Sequence, residues 1–132
     1  MNIDWRDFFV AWIVSTIVFF AVLALPSDCK AADAWSTTDK ALATAFVAGS
    51  IADWRQTRDI ANHPDIHEVN PFLGDHPSNS RIDTFFVASR LITLGAAHFL
   101  PGKYRTPFLT GAVAIQVGYV ANNAHLGLKV GF

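Results

Sequence analysis

Asp53-Trp-Arg-Gln-Thr-Arg-Asp59, followed after three residues by His63-Pro-Asp-Ile-His-Glu-Val-Asn-Pro-Phe-Leu-Gly-Asp-His-Pro77, is the polar centre of an otherwise apolar chain. The stretch from Asp53 to Pro77 holds five of the eleven acids and three of the five histidines. Pro64 lacks an N–H and restricts His63 to extended backbone, so a helix arriving from the N-terminal side has to stop there. Asn70-Pro71 and Asp75-His76-Pro77 are turn sequences, and Gly74 between them suits a positive φ. Long apolar segments flank the stretch on both sides. It therefore predicts a defined loop joining helices, with the candidate functional groups in or beside it.

The totals agree with an apolar, helical reading. The chain has 132 residues, enough for one domain, and is 52% hydrophobic and only 16% charged. An ordinary soluble domain carries about 25% charged residues, so this balance predicts membrane contact. A net charge of -1 gives no electrostatic case for nucleic acid. The single cysteine, Cys29, cannot close an intrachain disulfide and is no metal site alone. No cofactor is expected, and no repeat period is visible.

Upstream of the polar stretch, residues 8–25 contain no charge. As a helix they would rise about 27 Å, close to the thickness of a bilayer core. Trp5 and Trp12 suit the interfacial belt, and Pro26 ends the run. The expectation is a retained transmembrane helix, with residues 1–34 as anchor and linker and 35–132 as a helical bundle. The alternative is an exported protein cleaved after Ala32-Asp33-Ala34, a small-x-small site, although Asp4 and Asp7 beside Arg6 make a poor signal n-region. Ser36 or Thr37 can cap the next helix, with Asp39 near its positive end. That helix is expected to run to about Ile60. Ala41, Ala45 and Gly49 recur on one face, which Asp53, Gln56 and Thr57 then turn polar, so close small-xxx-small packing is expected there. Beyond the loop, Ser78, Asn79 or Ser80 caps a helix over about Arg81–Leu100, stopped by Pro101-Gly102. The last helix is expected over about Thr106–His125, with Pro107 in its first turn and Ala114 and Gly118 as a second small pair. Residues 127–132 read as a short extended end. Lysine and arginine counts on the two sides are too even to give an orientation.

Trp35-x-x-x-Asp39, Asp53-Trp-x-Gln56-Thr57, Glu68-x-Asn70-Pro71-x-Leu73-Gly74-x-His76-Pro77-Ser78, the Leu100-Pro101 stop and Asn123-x-x-x-Gly127 together resemble a family of small uncharacterised bacterial and phage-borne proteins. The resemblance covers about residues 35–132. It implies the same helix arrangement and points to the loop, and it implies no particular reaction.

Four constellations are candidates for chemistry. Arg90 lies in the middle of an apolar helix, where a charge is costly unless paired or hydrated. Asp53 and Glu68 are its expected hydrogen-bond partners, with Gln56, Asn122 or Asn123 completing a polar cluster. Such a pair can be a substrate or proton site, or a pin that fixes helix order, and the structural reading is preferred. His63, His67 and His76 with Glu68 offer metal-ligand types, but His63-x-x-x-His67-Glu68 is not the zincin order and Pro64 opposes a helix through His63, so no metal is expected. Ser50 or Ser89 with His98, His125 and the loop acids would be hydrolase-like, but no nucleophile elbow or phosphate loop accompanies them. Finally, Glu68, Asn70 and Pro71 suffice as turn architecture: Asn70 can hydrogen-bond the following backbone, Pro71 rigidifies the turn, and Glu68 can accept from helix N–H groups.

The expected fold is all-α, an N-terminal transmembrane helix plus a small three-helix bundle that is membrane-embedded or membrane-apposed. The expected function is that of a non-catalytic accessory or structural subunit of a larger membrane assembly. The expected partners are the lipid bilayer and other membrane subunits, and the expected place is the bacterial inner membrane. Alternatives are a membrane-embedded enzyme or metal binder using Asp53, Glu68, Arg90 and the loop histidines, and a phage-encoded envelope factor.

Overall fold

A computed structural model describes residues 33–60, 63, 65–68, 70 and 72–130. The expected transmembrane helix at 8–25 lies outside the described residues. The described part is all-α, with three helices: α1 (Thr37–Asp59), α2 (Asn79–Phe99) and α3 (Gly102–His125). No helix among the described residues is long and apolar enough to cross a membrane.

Three of the helix ends have a local cause. Ser36 is the N-cap of α1: its Oγ accepts from the Asp39 N–H at 3.0 Å, and Asp39 Oδ2 accepts from the Ser36 N–H at 3.0 Å. This reciprocal capping box satisfies two of the otherwise orphaned donors. Ser78 caps α2 in the same sense, its Oγ accepting from Arg81 N–H at 3.3 Å. At its far end, α3 closes with Gly127 at φ 84°. The Gly127 N–H donates to Ala124 O and the Leu128 N–H to Asn123 O, both at 3.0 Å. That is a Schellman closure, which needs a left-handed residue just after the helix. It buries Leu128, so the tail folds back against the bundle.

The start of α3 differs from the expectation. The helix begins at Gly102, so Pro107 sits in its second turn. Pro101 offers no side-chain cap. The carboxylate of Asp33 supplies one from elsewhere in the chain, accepting from Gly102 N–H at 2.9 Å. With that donor satisfied, the helix can start four residues early despite the proline ahead of it.

Side-chain contacts fix the topology. Asp39 meets Thr106 near the starts of α1 and α3, and Asp53 meets Gln116 and Asn123 farther along both, so these two helices run parallel. Ser50 meets Arg90, whereas Trp54 and Arg58 meet Asp83, so α2 runs antiparallel to α1. The most extensive packing is between α1 and α3. The apolar core under the loop is smaller: Leu73, Ile82 and Phe86 are buried together, with Trp54 and Phe85 against them. Leu73 thereby anchors the loop to α2.

The small-residue faces do not pack as expected. Ala41, Ala45, Ala114 and Gly118 are exposed. Only Gly49 makes a close approach: a Cβ built there would lie 2.9 Å from Gln116 Cγ. The seam between α1 and α3 instead carries Asp39 with Thr106 and Arg105, Asp53 with Gln116 and Asn123, and Gln56 with the Val120 carbonyl. Paired polar groups hold the two helices together, so the seam follows their positions rather than the small residues.

Candidate functional site

Two polar clusters pin α1 to α3, one near each end of the seam. At the lower end, where both helices begin, the side chain of Arg105 is 0% exposed. Its Nε donates to Ala97 O at 2.8 Å and its Nη2 to Leu100 O at 2.9 Å, capping the last turn of α2. Nη1 reaches Ala34 O at 3.4 Å and lies 3.7 Å from Asp39 Oδ2. The guanidinium stands over the Trp35 ring, 5.1 Å from its centroid. Thr106 Oγ1 donates to Asp39 Oδ1 at 2.6 Å. The Asp39 carboxyl is held below its ordinary range, first by the Thr106 hydrogen bond, against the opposing effect of burial, with Ser36 and Arg105 adding to it. Five segments therefore meet on one arginine: the 33–36 entry, both helix starts, the end of α2 and the turn after it.

The upper cluster is centred on Asp53. Gln116 Nε2 donates to its Oδ2 at 2.7 Å and Asn123 Nδ2 to its Oδ1 at 2.8 Å. Burial raises the Asp53 pKa, and the two amide hydrogen bonds and the charge of Arg90 oppose that rise. Tyr119, on the next turn of α3, has its hydroxyl pKa raised by partial burial and then by the negative charges of Asp53 and Glu68. Gln56 Nε2 donates to Val120 O at 3.3 Å. Its Oε1 is buried and has no hydrogen-bond partner among the described residues. Thr57 is buried beside it, whereas Asn122 is exposed and stands apart.

Arg90 is not hydrogen-bonded to either expected acid. Its Nε donates to Ser50 Oγ at 2.8 Å and its Nη2 to Ser50 O at 3.1 Å. The Trp54 and Phe86 rings flank the guanidinium, with centroids at 5.3 and 6.0 Å. The reason is helix length. With α2 starting at Asn79, Arg90 lies about 16 Å along it. On α1, Ser50 is about 14 Å back from the helix end and Asp53 only about 9 Å. The two-residue earlier start, about 3 Å, together with the end of α1 at Asp59, carries Arg90 past Asp53 to the level of Ser50, with the Asp53 charge still acting on it.

The loop makes a turn from its own side chains. Glu68 Oε1 accepts from the Asn70 N–H at 2.9 Å, and Asn70 Oδ1 accepts from the Phe72 N–H at 3.0 Å. Asn70 O accepts from both Leu73 N–H and Gly74 N–H, and Gly74 has φ 76°. Among the histidines, His63 Nδ1 lies 3.0 Å from Asp59 O, and the His67 and His76 rings lie 4.8 Å apart. No group of three or more possible ligands is arranged to hold a metal among the described residues. The candidate nucleophiles are committed elsewhere: Ser50 Oγ accepts from Arg90, and Ser89 Oγ donates to Phe86 O. His98 and His125 are exposed.

Arg105 and Gln116 were not among the residues expected in the polar cluster. Arg105 reads as a loop cation if the helix starts at Thr106. Reading Pro101-Gly102 as a helix start as well as a stop would have placed it in the first turn or two, within reach of Asp39. Gln116 stands alone in an apolar run, a signal that could have marked it as a partner for Asp53.

The motif residues are thus joints. Trp35 and Asp39 hold Arg105, Asp53 and Asn123 bond each other, Trp54 Nε1 donates to Asp83 Oδ1 at 2.8 Å, and Gly127 closes α3. No family model, curated protein or solved structure matches the chain.

Proposed function

We propose that the protein is a small membrane-anchored accessory subunit, without catalysis of its own, that docks on a larger membrane assembly through the outer faces of α2 and α3. One observation carries this reading: large apolar side chains stand exposed on the outer faces of α2 and α3, while polar groups are buried along α1 and the facing side of α3. Asp39, Ser50, Asp53, Gln56, Thr57, Arg105 and Gln116 are buried along α1 and α3. Val87, Leu91 and Ile92 on α2, and Ile115 and Val117 on α3, are all more than half exposed. Between Val87 and Gly95 the one charged residue of α2, Arg90, is half-buried against Ser50, and α3 from Thr106 to Ala124 contains no charged residue. Apolar patches of this extent mark an interaction surface. The polar interior supports a scaffold because its charges serve one another and the backbone. The uncharged run at 8–25 supports the anchor, and the bacterial inner membrane is the proposed place.

Photo-cross-linking in native membranes tests this. A photoreactive residue at Leu91 or Ile115 should give an adduct of one discrete mass, and one at Asp75, in the loop, should not. Alkaline carbonate should leave the chain in the membrane pellet. Adducts to lipid alone at both positions would sink the accessory role, and release by carbonate would sink the anchor.

A further inference from the structure

The turn between α2 and α3 carries a second exposed feature, separate from the lateral faces. Phe99 is 81% exposed, the most exposed of the large hydrophobic side chains described. His98 stands edge-on to it, with ring centroids 5.3 Å apart. Across the turn, Tyr104 is 43% exposed and the Lys103 ammonium lies 4.8 Å from its ring centroid. Pro101 is exposed between them. The backbone of the turn is fixed from behind by Arg105 and the buried Leu100, which leaves the Phe99 ring outside the bundle. An apolar ring at the apex, flanked by a tyrosine and a lysine on a flexible stem, is the side-chain set of a membrane–water interface: the ring enters the acyl boundary and the amine reaches back to phosphate.

The chain itself says which occupant covers the tip. Asp33 bonds the first residue of α3, so the polypeptide enters the bundle at this end. In the sequence, the uncharged run ends at Leu25, eight residues before Asp33. Eight residues span at most about 28 Å. If that run spans a bilayer, the entry end of the bundle is tethered to the bilayer surface, and the opposite end, with Asp65 and Asp75, is not.

We propose that the α2–α3 turn is an interfacial seat: Phe99 inserts into the bilayer, Tyr104 lies at headgroup level, and Lys103 contacts lipid phosphate. Lys40, exposed on the first turn of α1, places a second ammonium at this end. The inference rests on the membrane reading above and adds which end of the bundle meets lipid.

The test uses the full chain with Cys29→Ser and a single introduced cysteine, Phe99→Cys or Asp75→Cys, carrying an environment-sensitive fluorophore. It is reconstituted in vesicles of phosphatidylcholine with or without phosphatidylglycerol. At position 99 the emission should shift to the blue and be lost to a nitroxide on the lipid chains more than to iodide in the water; at position 75 the order should reverse. Phosphatidylglycerol should deepen the shift at 99, and Lys103→Glu should cancel that gain. A label at 99 that iodide quenches as it does at 75, while carbonate leaves the chain on the vesicles, overturns the seat and spares the anchor. Equal lipid quenching at 99 and 75 also overturns it, because the bundle would then be immersed. Carbonate release of a chain whose position 99 was lipid-quenched before the wash overturns the anchor and spares the seat.

Discussion

Gln56 and Gln116 are both buried glutamines facing the same seam, yet they do opposite things. Gln116 donates to a charged acceptor, Asp53. Hydrogen bonds to charged groups contribute about 1.5–3 kcal/mol, and removing the donor leaves a buried carboxylate short of one partner. Gln56 donates only to the Val120 carbonyl and leaves its own Oε1 orphaned. An unsatisfied buried acceptor costs about 1–3 kcal/mol. Denaturation of the full chain in mild detergent should therefore show Gln116→Met losing about 1.5–3 kcal/mol, and Gln56→Met neutral or more stable. Equal losses at both positions would refute this division of roles.

The two buried aspartates divide in a similar way, by sign. Asp53 has its pKa raised above the ordinary 3.8 by burial. Its contribution to stability is fully present below that value and is lost as pH rises through the raised folded value. Asp39 is shifted the other way from 3.8, chiefly by Thr106. Its contribution is present above 3.8 and is lost as pH falls through its lower folded value. Measured between about pH 3 and 7, the stability of the wild type relative to Asp53→Asn should fall with rising pH, and relative to Asp39→Asn it should rise. Slopes of the same sign would contradict the assigned environments.

At the scale of the helices, glycines separate packing from its appearance. Gly49 and Gly95 both sit inside helices, where glycine costs about 0.5–1 kcal/mol relative to alanine. A Cβ at Gly49 would press on Gln116 Cγ, part of a side chain whose amide is fixed on Asp53. A Cβ at Gly95 meets nothing within 4 Å. Gly95→Ala should gain about 0.5–1 kcal/mol and Gly49→Ala should lose about 1–2 kcal/mol once overpacking outweighs propensity. Thermal melting of the two variants should shift in opposite directions. The helices themselves were legible from sequence: Ser36 and Ser78 as caps, and Asn70 and Gly74 as turn residues, act through local backbone chemistry that a few neighbours define. The start of α3 was not legible, because its cap, Asp33, lies 69 positions away in the chain.

At the scale of the molecule, fold stability and docking should separate. Leu91 is 68% exposed, so it contributes little to the bundle itself. Surface substitutions of this kind change stability by no more than about 0.5 kcal/mol. Leu91→Gln should melt like the wild type, yet lose the cross-linked adduct at Ile115 and co-sediment less with native membranes. A variant that unfolds instead would place Leu91 in the core rather than on a docking face.

The sequence by itself determined the helical class of the described residues, the position of the loop, and the residues that end each helix. Those features follow from the missing N–H of proline, the positive φ open to glycine, and short polar side chains that cap the nearest backbone. It also singled out Asp53, Arg90 and Asn123 as polar groups in need of partners, because an isolated buried charge is costly wherever it falls. Which partner each took was decided only by the tertiary structure. Arg90 found Ser50 because the helix ends on either side of the loop fall where they bring it past Asp53, and Arg105 became the hub of the lower end because five segments converge there. Helix register and the parallel alignment of α1 with α3 set those distances, and they arise from packing between residues far apart in the chain, where local sequence carries no signal.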